Sequence, residues 1–303
     1  MIPYGTAAEA EAALGRGMTW AEAAWFRYSA GIPDYWLLWH NTLVLFLIHA
    51  LVPLPLALLE HLAPAVVMPY KLQPQVRHSP ATVARYIKKT VFVFIQVVAP
   101  YQLVSYPIVK LAGIRMGLPL PSAGEIMAQL VVYSLVEDYL FYWLHRLLHT
   151  RWGYTKIHHV HHEVTTPIGF TSSYSHWAEV IIFSIPTFVG PAIVPCHVTT
   201  HWLWLAVLLV EAIDAHSGYD FPFSPTKFIP FYGGAQFHDF HHCSGGQSKS
   251  NFGSFFTYCD SIYGTNKGYR YYRESQDKLK STKLAENNME KAGSNGLMSE
   301  KEH

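Results

Sequence analysis

Residues 126–149 read IMAQLVVYSLVEDYLFYWLHRLLH. The stretch is apolar and longer than the roughly 20 residues a helix needs to cross a bilayer, yet Glu137 and Asp138 sit in its middle and His145 and His149 at its end. A carboxylate at mid-membrane depth costs about 2.5–3.5 kcal/mol on insertion scales, so such residues are placed there for function. At 100° per residue, Asp138, His145 and His149 fall on one helical face. Asp138 is thereby placed either to orient a ligating histidine from behind or to pair with Arg146 or Arg151 near the helix end, and the spacing leaves both open.

The surrounding chain has the balance of a membrane protein. Half of its 303 residues are hydrophobic, 15% are aromatic and only 14% are charged, where soluble domains carry about 25% charged residues. A net charge of +1 with no basic stripe argues against a nucleic-acid partner. Residues 35–59 predict a first span broken near Pro53 and Pro55, and residues 90–109 a second, interrupted by Pro100 and Pro107. Between them Arg77, Arg85, Lys88 and Lys89 form a connection whose positive charge marks the cytosolic side. Residues 178–194 and 198–213 are short for spanning and predict a helical hairpin that enters and leaves by one face. The first thirty residues lack the basic start and continuous apolar core of a cleavable signal peptide, so internal segments are expected to anchor the chain. Cys196, Cys243 and Cys259 are odd in number and widely spaced, which predicts thiols rather than a disulfide framework.

The expected fold is therefore all-α: an integral membrane helical bundle of about four spanning or hairpin segments with a cytosolic cap carrying histidines. Residues 1–34 are expected to form an amphipathic, cytosolic N-terminal segment, 35–270 the membrane domain, and 271–303 a polar, disordered tail.

Three tight clusters hold eight of the 18 histidines that carry the chemistry: His145 and His149; His158, His161 and His162; and His238, His241 and His242. Imidazole in this number, with scarcely any thiolate, favours a transition metal over calcium or magnesium. On helices the spacings i, i+3 and i+4 converge, and eight nitrogens are about twice what one tetrahedral zinc takes. Two metal ions are the economical reading. His216, at the end of the hairpin's second arm, is a candidate ninth ligand, with Asp220 four residues on as a carboxylate or water-bridged ligand. His159 and His176 are weaker candidates for a ligand or a supporting role. His40, His49, His61, His78, His197, His201 and His303 stand alone and are expected to be ordinary hydrogen-bonded or exposed side chains.

In order, HRLLH, HHVHH, an apolar hairpin, AHSGYDFP, FHDFHH and NFGSFFTYCDSIYGTNKGYR resemble the membrane fatty acid hydroxylase superfamily. The match runs from roughly Tyr70 to Arg270. The flanking stretches YKLQPQVRHSPAT, LPLPS, FYWLHRLLH and GGQSKSNF are most similar to the sterol C4-methyl oxidases, in particular the plant methylsterol monooxygenase type that acts on 4,4-dimethylsterols. The resemblance implies two iron ions held by the box histidines and electrons from cytochrome b5 and its NAD(P)H reductase. It further implies oxidation by O2 of the 4α-methyl group of a sterol such as 24-methylenecycloartanol, through alcohol and aldehyde to carboxylate. A C4-decarboxylating sterol dehydrogenase is then the expected pathway partner, and the endoplasmic reticulum membrane, with the site facing the cytosol, the expected location. Where related members place a histidine four residues after the position of His216, this chain has Asp220, which leaves one metal's ligand count open. Competing readings are a hydroxylase or desaturase of another lipid, such as a sterol C5 desaturase or a sphingoid or fatty acid hydroxylase, a membrane metal transporter, and an inactive scaffold. A transporter would carry its ligands along a pathway at mid-membrane depth, whereas these boxes fall at helix ends.

Overall fold

A computed structural model describes residues 4–243 and 249–299. Among them every regular element is a helix, and the only other backbone pairing is in isolated bridges. The segment 245–248 of the GGQSKSNF stretch lies outside the described residues.

The first apolar run forms the helices Asp34–Leu51 and Leu54–Leu62, which together make a 29-residue span. The break falls at Val52 and Pro53, as the two prolines predict. The second run extends over Pro80–Leu111. It begins earlier than the hydropathy alone suggests because the Ser79 side chain accepts the Thr82 N–H at 3.2 Å and Pro80 stands at the first helical position. Arg85, Lys88 and Lys89 therefore ride on the helix rather than in a loop. Pro100 has no N–H to return to the Gln96 carbonyl, and the chain absorbs the loss with a π turn at Phe94–Val98. Only 17% of the central window of each of these two spans is buried against the rest of the protein. Their outward side chains, among them Phe46, Leu51, Phe92, Ile95, Val104 and Ile108, form the apolar surface a bilayer would cover.

Behind them lie the first-box helix Ala123–Leu148 and the hairpin arms Trp177–Ile193 and Val198–Ala215. The first arm packs along the first-box helix, and Gly190 permits the approach. A Cβ there would stand 2.9 Å from Tyr133 Cδ1 and 3.0 Å from its Cα. Polar ties fix the hairpin tip: Tyr133 Oη–H donates to the Val194 carbonyl at 2.5 Å, and Gln129 Nε2 to that of Pro195 at 3.2 Å. The backbone of Arg115 pairs on either side with Cys196 and Val198.

The N-terminal helices Ala7–Leu14 and Trp20–Ser29 gather at this same tip, where Trp25 donates to the Met116 carbonyl at 3.1 Å and its ring meets those of His197 and Trp202. The histidine boxes occupy the other end of the bundle. The first span, Asp34–Leu62, runs between the two ends. The polar end departs from expectation, since Lys267–Ser299 forms a single helix. Strong helix formers and spacings such as Glu274 to Lys278 favour that state even where little apolar surface is available. No disulfide joins the three cysteines.

Candidate metal centre

Nine histidines assemble into two adjoining groups. His145, His149, His158, His162 and His241 form one, and His161, His216, His238 and His242 the other. In each group one ligand atom per residue lies within 4.8 Å of all the rest. The first box enters whole because its residues are a helical turn apart. The second box is a 3-10 turn, His158–Glu163, rather than the expected α-helix. Its tight winding stacks His158 on His161 at 5.4 Å between ring centres. His158 and His162 face one group while His161 faces the other. The third box lies on the helix Gly234–Cys243 and divides likewise, His241 to the first group and His238 with His242 to the second. Rings of different groups approach as near as 4.8 Å, at His162 and His242.

The hydrogen bonds behind the rings determine what the groups can hold. His145 Nδ1–H donates to the Phe252 carbonyl at 2.9 Å, His161 to Tyr174 at 3.0 Å, His216 to Ala212 at 2.7 Å, His241 to Ser250 at 2.7 Å and His242 to Val164 at 2.8 Å. A neutral imidazole carries one N–H, so each of these Nε2 atoms presents a bare lone pair to the interior. His161 Nε2 and His216 Nε2 are nonetheless 3.2 Å apart, and two lone pairs cannot form a hydrogen bond. His162 has no partner on either buried nitrogen. A shared cation resolves both observations, so the residues fit a metal centre with imidazole ligands. The arrangement is the one in which a ligand's outer N–H is fixed by a carbonyl or carboxylate. Glu179 places a carboxylate beside a sixth ring: its Oε2 lies 3.0 Å from His158 Nδ1, and both side chains are buried.

Two of the carbonyls come from one loop. Asp260 accepts the N–H groups of Phe252 and Gly253 at 2.9 and 2.7 Å and the Thr265 hydroxyl at 2.6 Å. Asn251, between the Ser250 and Phe252 carbonyls that accept from His241 and His145, adopts a left-handed backbone with φ 61°, a conformation Asn tolerates better than most residues. Its side chain donates to the Phe237 carbonyl at 2.9 Å. Asp138 accepts the Phe256 N–H at 2.8 Å. It orients no histidine and pairs with neither arginine; Arg146 donates instead to the Tyr142 hydroxyl at 3.2 Å. Asp138 acts on His145 only through the loop.

Three further candidates fall outside the groups. The helix bearing His216 stops at Ala215, so Asp220 is not carried to the same face. Both Asp220 carboxylate oxygens accept from Lys227 Nζ at 2.9 Å. His159 points to solvent. His176 caps the hairpin's first arm, its Nδ1 accepting the Ala178 N–H at 3.2 Å. Sequence reasoning missed Glu179, whose only signal was a carboxylate at the mouth of an apolar segment, and Asp260, which gave none.

The histidines close one end of a cavity of about 310 Å³ that opens between the second span and the hairpin. Val93, Phe94, Phe141, Val180, Phe183 and Leu208 give it apolar walls, and Glu137 and Glu211 are among the polar side chains that line it. The volume lies at the lower end of the range for small-molecule sites.

Burial, reinforced at His241 by neighbouring imidazoles, pushes the His158 and His241 rings down to about 3, so both remain neutral near pH 7. An unfolded chain, with histidines near 6.5, takes up protons that the folded one refuses. Metal-free protein should therefore lose stability progressively as pH falls from about 6.5 toward about 3. Thermal melts in nanodiscs after chelation measure this, and a flat profile over that window contradicts neutral rings. Replacing Glu179 with Gln should weaken metal affinity by about 10–100-fold, read by competition with a chromogenic chelator.

Residues 130–265 match the family model described as fatty acid hydroxylase. The chain is 62% identical to the very-long-chain aldehyde decarbonylase GL1-10 of Oryza sativa subsp. japonica over 98% of each protein. It is 55% identical to methylsterol monooxygenase 1-2 of Arabidopsis thaliana, covering 97% of this chain and 99% of the relative. Methylsterol monooxygenase 1-1 of the same plant is also 55% identical, over 95% and 97%. No solved structure matches. With identity of this degree along nearly its whole length, and with the histidine boxes gathered inside the matched region, the chain belongs to the fatty acid hydroxylase family.

Proposed function

We propose that this chain is a membrane-bound sterol 4α-methyl oxidase. It oxidises the 4α-methyl group of a 4,4-dimethylsterol such as 24-methylenecycloartanol through alcohol and aldehyde to carboxylate, with one O2 consumed per step. The observation that carries the reading is the placement of two inward-facing imidazole groups at the closed end of an apolar cavity within a membrane bundle. The methylsterol monooxygenase relatives supply the substrate class.

The two groups would hold one iron each: His145, His149, His158, His162 and His241 the first, His161, His216, His238 and His242 the second. Iron supplies the redox activation of dioxygen that an unactivated methyl C–H bond requires and that redox-inert zinc lacks. Burial favours neutral imidazoles, and the carbonyls behind five of the rings fix their orientation with lone pairs inward. The apolar walls exclude water from the reacting end and seat the flat hydrocarbon body of a sterol. In the proposed setting the boxes face the cytosol at the endoplasmic reticulum, cytochrome b5 and its NAD(P)H reductase deliver electrons, and a C4-decarboxylating dehydrogenase consumes the product.

A second reading follows from the 62% identical relative named for aldehyde decarbonylation: a long-chain aldehyde would occupy the same apolar cavity. Expression in yeast lacking its own C4-methyl oxidase separates the two. The native chain should restore ergosterol, while His161→Ala, expressed to the same level, should leave 4,4-dimethylsterol accumulating. Failure of the native chain, with cytochrome b5 and 24-methylenecycloartanol supplied, alongside alkane formation from added long-chain aldehyde, selects the second reading.

A further inference from the structure

Two buried carboxylates in the cavity have no use in holding the metal centre. Glu137 on the first-box helix is 3% exposed, and its Oε2 has no hydrogen-bond partner. Glu211, on the second hairpin arm, is 6% exposed; its Oε2 accepts from the Ser254 hydroxyl at 3.5 Å, while Oε1 has no partner. Both side chains line the cavity that His145, His158, His161, His216 and His238 close. On the facing span, Gln102 also lines the cavity and is 5% exposed, with an unpartnered Oε1. Acceptors left unsatisfied in an apolar enclosure are costly, so protein interiors ordinarily pair them. Glu137 Oε2, Glu211 Oε1 and Gln102 Oε1 each lack a donor in the structure.

We infer that Glu211, with Glu137 beside it, accepts the hydrogen bond of a substrate hydroxyl and so sets which ring position meets the metal centre. Glu211 precedes His216 by five residues on one helix, a rise of about 7.5 Å. An anchor at that depth suits a hydroxyl on the ring carbon next to the reacting one, which is where a 4,4-dimethylsterol carries its 3-hydroxyl. A carboxyl group has an oxygen free to accept in either protonation state, whereas a hydrocarbon offers no donor and an aldehyde oxygen can only accept. The apolar walls then hold the rest of the ring system without directing it. This inference rests on the sterol reading above and adds to it a specificity device that the histidines do not provide.

The test is a comparison of substrates across variants, using the full-length chain in nanodiscs with cytochrome b5, its reductase and NADH. Native protein, Glu211→Leu, Glu137→Leu and Glu211→Gln are each given a 4,4-dimethylsterol and its 3-deoxy analogue, with bound metal measured as a check on folding. Native protein should favour the hydroxysterol by about 10–100-fold in kcat/KM, the ordinary cost of leaving a buried acceptor unpaired. In Glu211→Leu the preference should shrink to within about threefold with metal content retained, and Glu211→Gln, which keeps an acceptor oxygen, should recover part of it. A Leu variant that loses the same factor on both substrates, or keeps the native preference, overturns the anchor while leaving the sterol reading intact. Native protein inactive on both sterols overturns the two together.

Discussion

Everything at the centre of this protein depends on gathering nine imidazoles so that five of them, bonded outward through Nδ1–H, turn bare Nε2 lone pairs inward. Left alone, that arrangement is repulsive and poorly solvated, and it persists only because the outer nitrogens are tied down. Carbonyls from Phe252, Tyr174, Ala212, Ser250 and Val164 take the Nδ1 protons of five rings, and Glu179 stands behind a sixth. Each tie fixes a tautomer as well as an orientation. The polar segments between helices are therefore part of the centre. The loop from Ser250 to Phe256, braced by Asp260 and Asp138 and turned at Asn251, reaches the ligands as directly as the helices do.

The membrane helices explain why the centre lies where it does. Within a bilayer every backbone polar group must be paired inside its own segment, so the carbonyls that hold the rings become available only at helix ends and in the segments beyond them. The first-box helix and the hairpin are locked together at the opposite tip by Tyr133, Gln129 and the close approach at Gly190. Between those two ends runs the apolar cavity. Its walls include Val93 and Phe94 of the second span, most of whose surface is unburied.

Much of this was legible in the sequence because membrane spans and histidine spacing are local signals. The first span and both hairpin arms announced themselves by unbroken hydropathy, the first-box helix by an apolar run interrupted only at Glu137 and Asp138, and the eight box histidines with His216 by their clustering. What failed depended on geometry that spacing alone does not carry. Asp220 was paired with His216 on helical periodicity, but the helix ends between them and Lys227 takes the carboxylate. Asp138 shares a face with His145, yet its partner is a backbone N–H more than a hundred residues along the chain. How the second and third boxes divide between the groups could not be foreseen, since the 3-10 turn at His158–Glu163 replaces the helix the pattern suggested. Nothing in the composition of the N-terminal segment reports the tertiary contact of Trp25 with Met116.

The central claim is that the imidazoles form two metal positions rather than one. Purified protein, reconstituted anaerobically with ferrous iron and freed of excess, can be assayed for iron per chain, with Mössbauer spectroscopy on the same sample. The account predicts two irons per chain, one for each histidine group, with His242→Ala and His149→Ala depleting different positions. A single iron, held with equal strength in both variants, would contradict it.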